Sequence, residues 1–105
     1  MSIVIAEVSF SPIGTATTSL SSYVTAALAV LADHPEVKYQ LNPMGTVLEG
    51  DRIDVLNVVE EMNEAIFAAG AQRVGTTLKI DDRRDTETSM DHKVQVVMEG
   101  LTRKT

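Results

Sequence analysis

Three groups of side chains in this sequence have the types and spacing to do chemistry. Asp81, Asp82 and Asp85 surround Arg83 and Arg84. Such a loop could pair carboxylates for acid–base work or clamp an anion. It could equally be a solvated loop whose local ion pairs are worth little. Thr15, Thr17, Thr18, Ser19, Ser21 and Ser22 gather where a helix is expected to begin. Hydroxyls and free amides there can hold an anion or a polar ligand, or simply cap the helix. The third group is the segment Asn42-Pro43-Met44-Gly45-Thr46-Val47-Leu48-Glu49-Gly50-Asp51. It combines a turn proline, two glycines, a threonine placed for burial and a carboxylate at a strand end. Ends of central strands are where pockets form in α/β sheets.

Catalytic chemistry finds little support. The chain has no cysteine, which removes a thiol nucleophile, a zinc–thiolate site and an iron–sulfur cluster. Its two histidines are His34, before a proline, and His92, in the first turns of the last expected helix. Neither lies in a nucleophile context, and Gly-x-Ser-x-Gly is absent. The phosphate-cradling patterns and the calcium-loop spacing are absent too. The expectation is a binding protein rather than an enzyme, with no cofactor and no metal.

The elements that must position these groups fit one domain spanning 1–105. With 105 residues, 44% of them apolar, the chain can bury one core without disulfide or metal staples. The net charge of −6, with two tyrosines, two phenylalanines and no tryptophan, argues against nucleic acid as a partner. No run approaches the length that spans a bilayer, and the N-terminus lacks a charged signal region. The expected location is the cytoplasm, with no membrane partner.

Ile3 to Phe10 alternates as a strand, with Val4, Ala6, Val8 and Phe10 on one face and Ile3, Ile5, Glu7 and Ser9 on the other. Ser11 to Thr15 reads as a loop. Leu20, Tyr23, Val24, Ala27, Leu28 and Leu31 form a single helical stripe, capped by Thr17, Thr18 or Ser19 and ending near Asp33-His34-Pro35. Val37 to Leu41 and the short Thr46-Val47-Leu48 are strands on either side of a turn. A second helix follows Gly50, with Asp51 as its cap and Gly70 as its stop. Ala71 to Ile80 is a fourth strand, in which Gly75 suggests a bulge or a close backbone approach. A last helix carries Met90, Val94, Val97, Met98 and Leu101 on one stripe.

The order β-α-β-β-α-β, then α, with right-handed crossovers, predicts an α+β fold. It is a ferredoxin-like βαββαβ sandwich with a four-stranded antiparallel sheet and an extra C-terminal helix. Two helices on one sheet face leave the other face open. The third helix is expected to cover part of that face and a second copy of the chain the rest, because monomers rarely expose a large apolar patch.

The Pro12-to-Tyr23 loop and helix, the run Tyr39-Gln40-Leu41-Asn42-Pro43-Met44-Gly45-Thr46, Glu49-Gly50-Asp51, Gly70-Ala71-Gln72-Arg73-Val74 and Ile80-Asp81-Asp82-Arg83 together resemble the thiamine-binding (YkoF-like) family of small ferredoxin-like proteins. The single-domain branch of that family is made up largely of uncharacterised proteins. The resemblance covers nearly the whole chain. It implies a domain that assembles through its sheets into dimers and often tetramers. It also implies binding of thiamine, or of its hydroxymethylpyrimidine part, without catalysis. Carried over by residue, the polar lining comes from Glu7 and Ser9 on the first strand, Thr18 and Ser22 near the first helix, and Tyr39, Asn42, Thr46 and Glu49 of the hairpin. Phe10, Tyr23 or Tyr39 would stack on a ring. Glu49 is the natural partner of a cationic thiazolium or an aminopyrimidine. A regulatory or structural oligomer with a different ligand, or none, stays open at this point, since the fold is shared by many sensor domains.

Overall fold

Strong β-formers alternate with polar residues along Ile3–Pro12, and this run becomes β1, the strand around which the sheet is built. The computed structural model describes residues 2–104. After β1 come α1 (Ser21–Ala29), a 3₁₀ turn (Val30–Asp33), β2 (Lys38–Asn42), β3 (Gly45–Asp51), α2 (Arg52–Ala68), β4 (Val74–Asp81) and α3 (Met90–Lys104). The strands lie in the order β2-β3-β1-β4. Every neighbouring pair is antiparallel. This is the expected ferredoxin-like α+β arrangement: β3 is inserted between β1 and β2, and α1 and α2 are the crossovers.

Register decides which side chains share a face. Val4 pairs with Gly50, Ala6 with Leu48 and Val8 with Thr46. Tyr39 pairs with Leu48 and Leu41 with Thr46. These residues face α1 and α2. There Val4, Val8, Leu48, Val55, Val58, Met62 and Ile66 are fully buried. Burial of each such side chain contributes about 1.5–3 kcal/mol. The opposite face carries Ile3, Ile5, Glu7 and Ser9 of β1, Val47 and Glu49 of β3, and Lys38 and Gln40 of β2.

Asp51 caps α2 as expected, its carboxylate accepting from the Ile53 N–H at 3.1 Å. Gly70, at φ +116, ends the helix, and the Ala71 N–H returns to the Ile66 carbonyl. Other boundaries differ from the sequence reading. α1 begins at Ser21 after Leu20, with no side-chain cap. The hydroxyls meant for capping knit the preceding loop instead: Thr15 donates to the Thr17 carbonyl at 2.6 Å and Thr17 to the Ser19 carbonyl at 3.2 Å. β3 runs to Asp51 rather than Leu48, because Glu49, Gly50 and Asp51 continue the ladder with Ile5, Val4 and Ile3. β1 reaches Pro12, beyond the stretch paired with β3, where β4 alone continues the pairing. Gly75 makes no bulge; the register from Ile5↔Asp81 to Pro12↔Val74 is unbroken, and a Cβ there would meet nothing closer than 3.8 Å.

α3 departs most from expectation. It meets the open face of the sheet only through its first turn. Ser89 caps it, its hydroxyl accepting from the His92 N–H at 3.1 Å. Beyond that turn its apolar stripe is exposed.

Candidate functional site

The α1 stripe and the β2–β3 turn face each other across the edge of the core. Between them lies a cleft of about 150 Å³, lined mostly by apolar residues, among them Val8, Phe10, Val24, Leu28, Leu41 and Met62. Asn42, Pro43, Met44, Gly45 and Thr46 close one end, and Ser9 lies at its edge. Gly45 allows a close approach: a Cβ would stand 3.2 Å from the Val8 carbonyl oxygen.

Thr46 is the polar group of the cleft. The residue is buried, yet its hydroxyl has no hydrogen-bond partner among the described residues. No inaccessible side-chain polar atom of the described residues is left unsatisfied, so the hydroxyl keeps access to the cleft. Asn42 borders the cleft, but its side chain shares the open face with Gln40, whose amide donates to its carbonyl oxygen at 3.2 Å.

Of the eight residues expected to line the site, the structure turns Thr46 toward this cleft, while Asn42 and Ser9 border it from strand positions whose side chains belong to the other face. Tyr39 shares the helix-facing side of the sheet with Thr46 but is half exposed. Thr18 and Ser22 are exposed near the start of α1. Glu7 and Glu49 lie on the other face of the sheet. The apolar walls Val24, Leu28, Leu41 and Met62 were not among the expected site residues. Their helical and strand periodicity marks them as core, and nothing in that pattern separates a core position from a cleft wall.

On the other face, Glu49 is buried and already occupied. Its Oε1 accepts the Met90 N–H at 2.8 Å, and its Oε2 lies 3.8 Å from the Lys38 ammonium. A carboxylate at the first N–H of α3 complements the helix dipole. Glu7 has no such partner among the described residues.

The Asp81–Asp85 loop is an ion-pair knot. Asp82 accepts from the Ser2 hydroxyl at 2.8 Å, from Arg84 at 2.8 Å and from Arg52 at 3.1 Å. It thereby joins the start of β1, the start of α2 and the end of β4. The Arg84 hydrogen bonds, followed by that of Ser2, hold the Asp82 carboxyl far below the usual carboxylate range. Asp85 binds Arg83 at 2.7 Å, and that guanidinium lowers its pKa. Asp81 pairs with Lys93. All three carboxylates are engaged with cations, as in the ion-pair reading of this loop. Among the described residues no group of three or more His, Cys, Asp or Glu is arranged to hold a metal.

A model of the family described as "Thiamine-binding protein" matches residues 6–98. The chain belongs to this family. UPF0045 protein YqgV of Bacillus subtilis is 41% identical over 100 residues, covering 92% of this chain and 96% of its own. A UPF0045 protein of Methanothermobacter thermautotrophicus is 45% identical over 97 residues, covering 91% and 97%. The crystal structure of MJ1052 from Methanocaldococcus jannaschii superposes with a TM-score of 0.85 at 37% identity, over 94% of this chain and 99% of that one. TM0486 of Thermotoga maritima, a protein named for thiamine biosynthesis or salvage, superposes at 0.75 over 90% and 98%. At 20% identity that likeness concerns the fold. The family membership and the cleft together mark a small-molecule-binding role. No helix among the described residues is long and apolar enough to cross a membrane.

Proposed function

We propose that this protein is a non-catalytic cytoplasmic binder of thiamine or a related hydroxymethylpyrimidine, working as a homo-oligomer, with the pyrimidine ring seated between α1 and the β2–β3 turn. The observation that carries this reading is the Thr46 hydroxyl, buried and unpartnered at one end of an otherwise apolar cleft. Sites for drug-sized ligands span about 300–1,000 Å³. A cleft of about 150 Å³ suits one heterocyclic ring rather than two. The pyrimidine is the ring whose edge offers both donors and acceptors. The Thr46 hydroxyl would accept from the exocyclic amine, and Phe10 would lie against the ring. A thiazolium substituent would extend past Pro43 and Met44 toward solvent.

Self-association is supported by the uncovered side of the molecule. An exposed apolar helix stripe next to an open sheet face is unusual for a monomer.

Calorimetry with thiamine and with hydroxymethylpyrimidine tests the ligand. Saturable binding of either, weakened by Thr46→Val, is expected. No heat from both at millimolar concentration would remove this ligand class.

A further inference from the structure

We infer that Met44 is an oxidisable flap over the cleft: its side chain folds onto the bound ring, and oxidation of its thioether by hydrogen peroxide opens the mouth and weakens binding. This rests on the ligand reading above and adds a regulated residue to that site.

The first observation is how the turn holds this side chain. Asn42 pairs with Gly45, so Pro43 and Met44 alone make the turn between β2 and β3. The pyrrolidine ring fixes the Pro43 backbone. Gly45 lies close against β1, at the Val8 carbonyl. With the backbone held on both sides, the group free to move at this end of the cleft is the Met44 side chain. It borders the cleft and is 89% exposed. Methionine has three rotatable side-chain bonds and a thioether that packs well against aromatic rings. The buried Thr46 brings its hydroxyl to the same cleft. A ring held by that hydroxyl and by Phe10 leaves its outer side to solvent, and Met44 is the apolar group placed to cover it.

The second observation is the redox chemistry open to the chain. Cysteine and tryptophan are absent, and there are five methionines. Methionine is therefore the side chain on which a peroxide acts first. The methionines of the described residues differ sharply in access. Met62, on the inner wall of the same cleft, is 1% exposed, and Met98 of α3 is 56% exposed. The step balances with hydrogen peroxide alone. A sulfur lone pair attacks one peroxide oxygen, and the S–O bond forms as the O–O bond breaks. The departing hydroxide takes the proton of the transferred oxygen and leaves as water. Sulfur gives up two electrons and the peroxide gains them. The product is a polar sulfoxide, which favours water over an apolar ring and keeps the flap outside.

Peroxide treatment followed by peptide mass mapping, with calorimetry on the same preparations, tests this. Met44 should take up oxygen before Met98 and well before Met62. Saturating hydroxymethylpyrimidine or thiamine should slow oxidation at Met44. Affinity for these ligands should fall roughly two- to tenfold in step with Met44 sulfoxide, the scale of a sulfur–aromatic contact. Methionine sulfoxide reductase with dithiothreitol should restore it. In Met44→Leu, affinity should be the same before and after peroxide. Undiminished affinity with Met44 fully oxidised overturns the inference and leaves the ligand reading standing. An equal loss on peroxide treatment of Met44→Leu does the same, since it puts the effect on another methionine. If the untreated wild type binds neither hydroxymethylpyrimidine nor thiamine, the ligand reading falls and the flap falls with it.

Discussion

The two faces of the sheet are built from the same four strands and do opposite things with their polar groups. On the helix side the centre of the core is fully buried, and the hydroxyl of the buried Thr46 has no partner among the described residues. On the open side, polar groups are plentiful, and several are tied to neighbours: Glu49 to α3 and Lys38, Asp81 to Lys93. A ligand site needs an unengaged polar group inside an apolar enclosure more than it needs many polar groups. That contrast places the candidate cleft on the helix side, although most of the charge is on the other.

The largest expected effect tests the contrast in packing. Leu48 and Val47 are adjacent in β3 and point to opposite faces. Leu48→Ala should cost about 2–5 kcal/mol, because it opens a cavity in a fully buried layer. Val47→Ala should cost under about 1 kcal/mol when measured on dissociated chains. Equal costs in urea denaturation would show that the open face is as tightly packed as the core.

The next pair tests the contrast in chemistry. Thr46→Val removes a hydroxyl while keeping the shape. A neutral hydrogen bond of about 0.5–1.5 kcal/mol corresponds to a loss of roughly two- to twelve-fold in ligand affinity. Glu49→Gln should leave that affinity unchanged and instead speed amide exchange at Met90, since a neutral acceptor caps α3 less well. If Glu49→Gln abolishes binding and Thr46→Val does not, the cleft has been put on the wrong face.

Much of this was readable in the sequence, and each part that was not has a physical cause. The order of elements, the Asp51 cap and the Gly70 stop follow from periodicity and local backbone chemistry. So does the alternation within β1 that separates Glu7 and Ser9 from Val4, Ala6 and Val8. What periodicity cannot supply is register between strands, which depends on pairing between distant residues. Only the match of Val8 with Thr46 shows that Thr46 shares a face with the β1 core and that Glu49 does not. The same cause shortened β3: Gly50 looks like a loop residue until its partner Val4 is known. A Cβ at Gly50 would meet the Glu36 carbonyl at 3.2 Å, so this glycine serves a close approach. α1 began late because a run of hydroxyl residues offers several competing local bonds, and sequence does not say which is made. The exposure of α3 was hidden for another reason: its stripe has the pattern of a buried face, and pattern does not tell which chain does the burying.

The ion-pair knot joins the edges of the two faces and predicts an acid response. The Asp82 carboxyl is held below its ordinary value by Arg84, Ser2 and Arg52. A depressed folded-state value means that its contribution is fully present above the ordinary Asp range of about 3.9 and declines as pH falls through that range toward the folded value. Asp82→Asn should therefore lower the Tm at neutral pH, and the gap to wild type should narrow only below about pH 4. A gap that does not change with acidification would mean that the carboxyl charge contributes nothing.

The smallest effect concerns the segment that links the two sides of the cleft. His34 follows the 3₁₀ turn after α1 and precedes β2. Its Nδ1 lies 2.9 Å from Glu36 and its Nε2 2.7 Å from Glu61 of α2. Both contacts are satisfied only by the doubly protonated ring. The Glu36 hydrogen bond, with the charges of Glu61, Glu36 and Asp33, raises its pKa. A raised folded-state value gives a contribution that is complete below the ordinary His range of about 6.5 and fades as pH rises through the folded value. His34→Gln should melt below wild type at about pH 5.5 and close to it at about pH 9. The contact is exposed, so the shift should be the least of those described here. Because the segment carries α1 into β2, the same titration should slightly loosen the cleft at high pH. Ligand affinity measured across that range in wild type, but flat in His34→Gln, would connect the histidine to the helix side of the sheet. A flat profile in both would confine it to a surface ion pair.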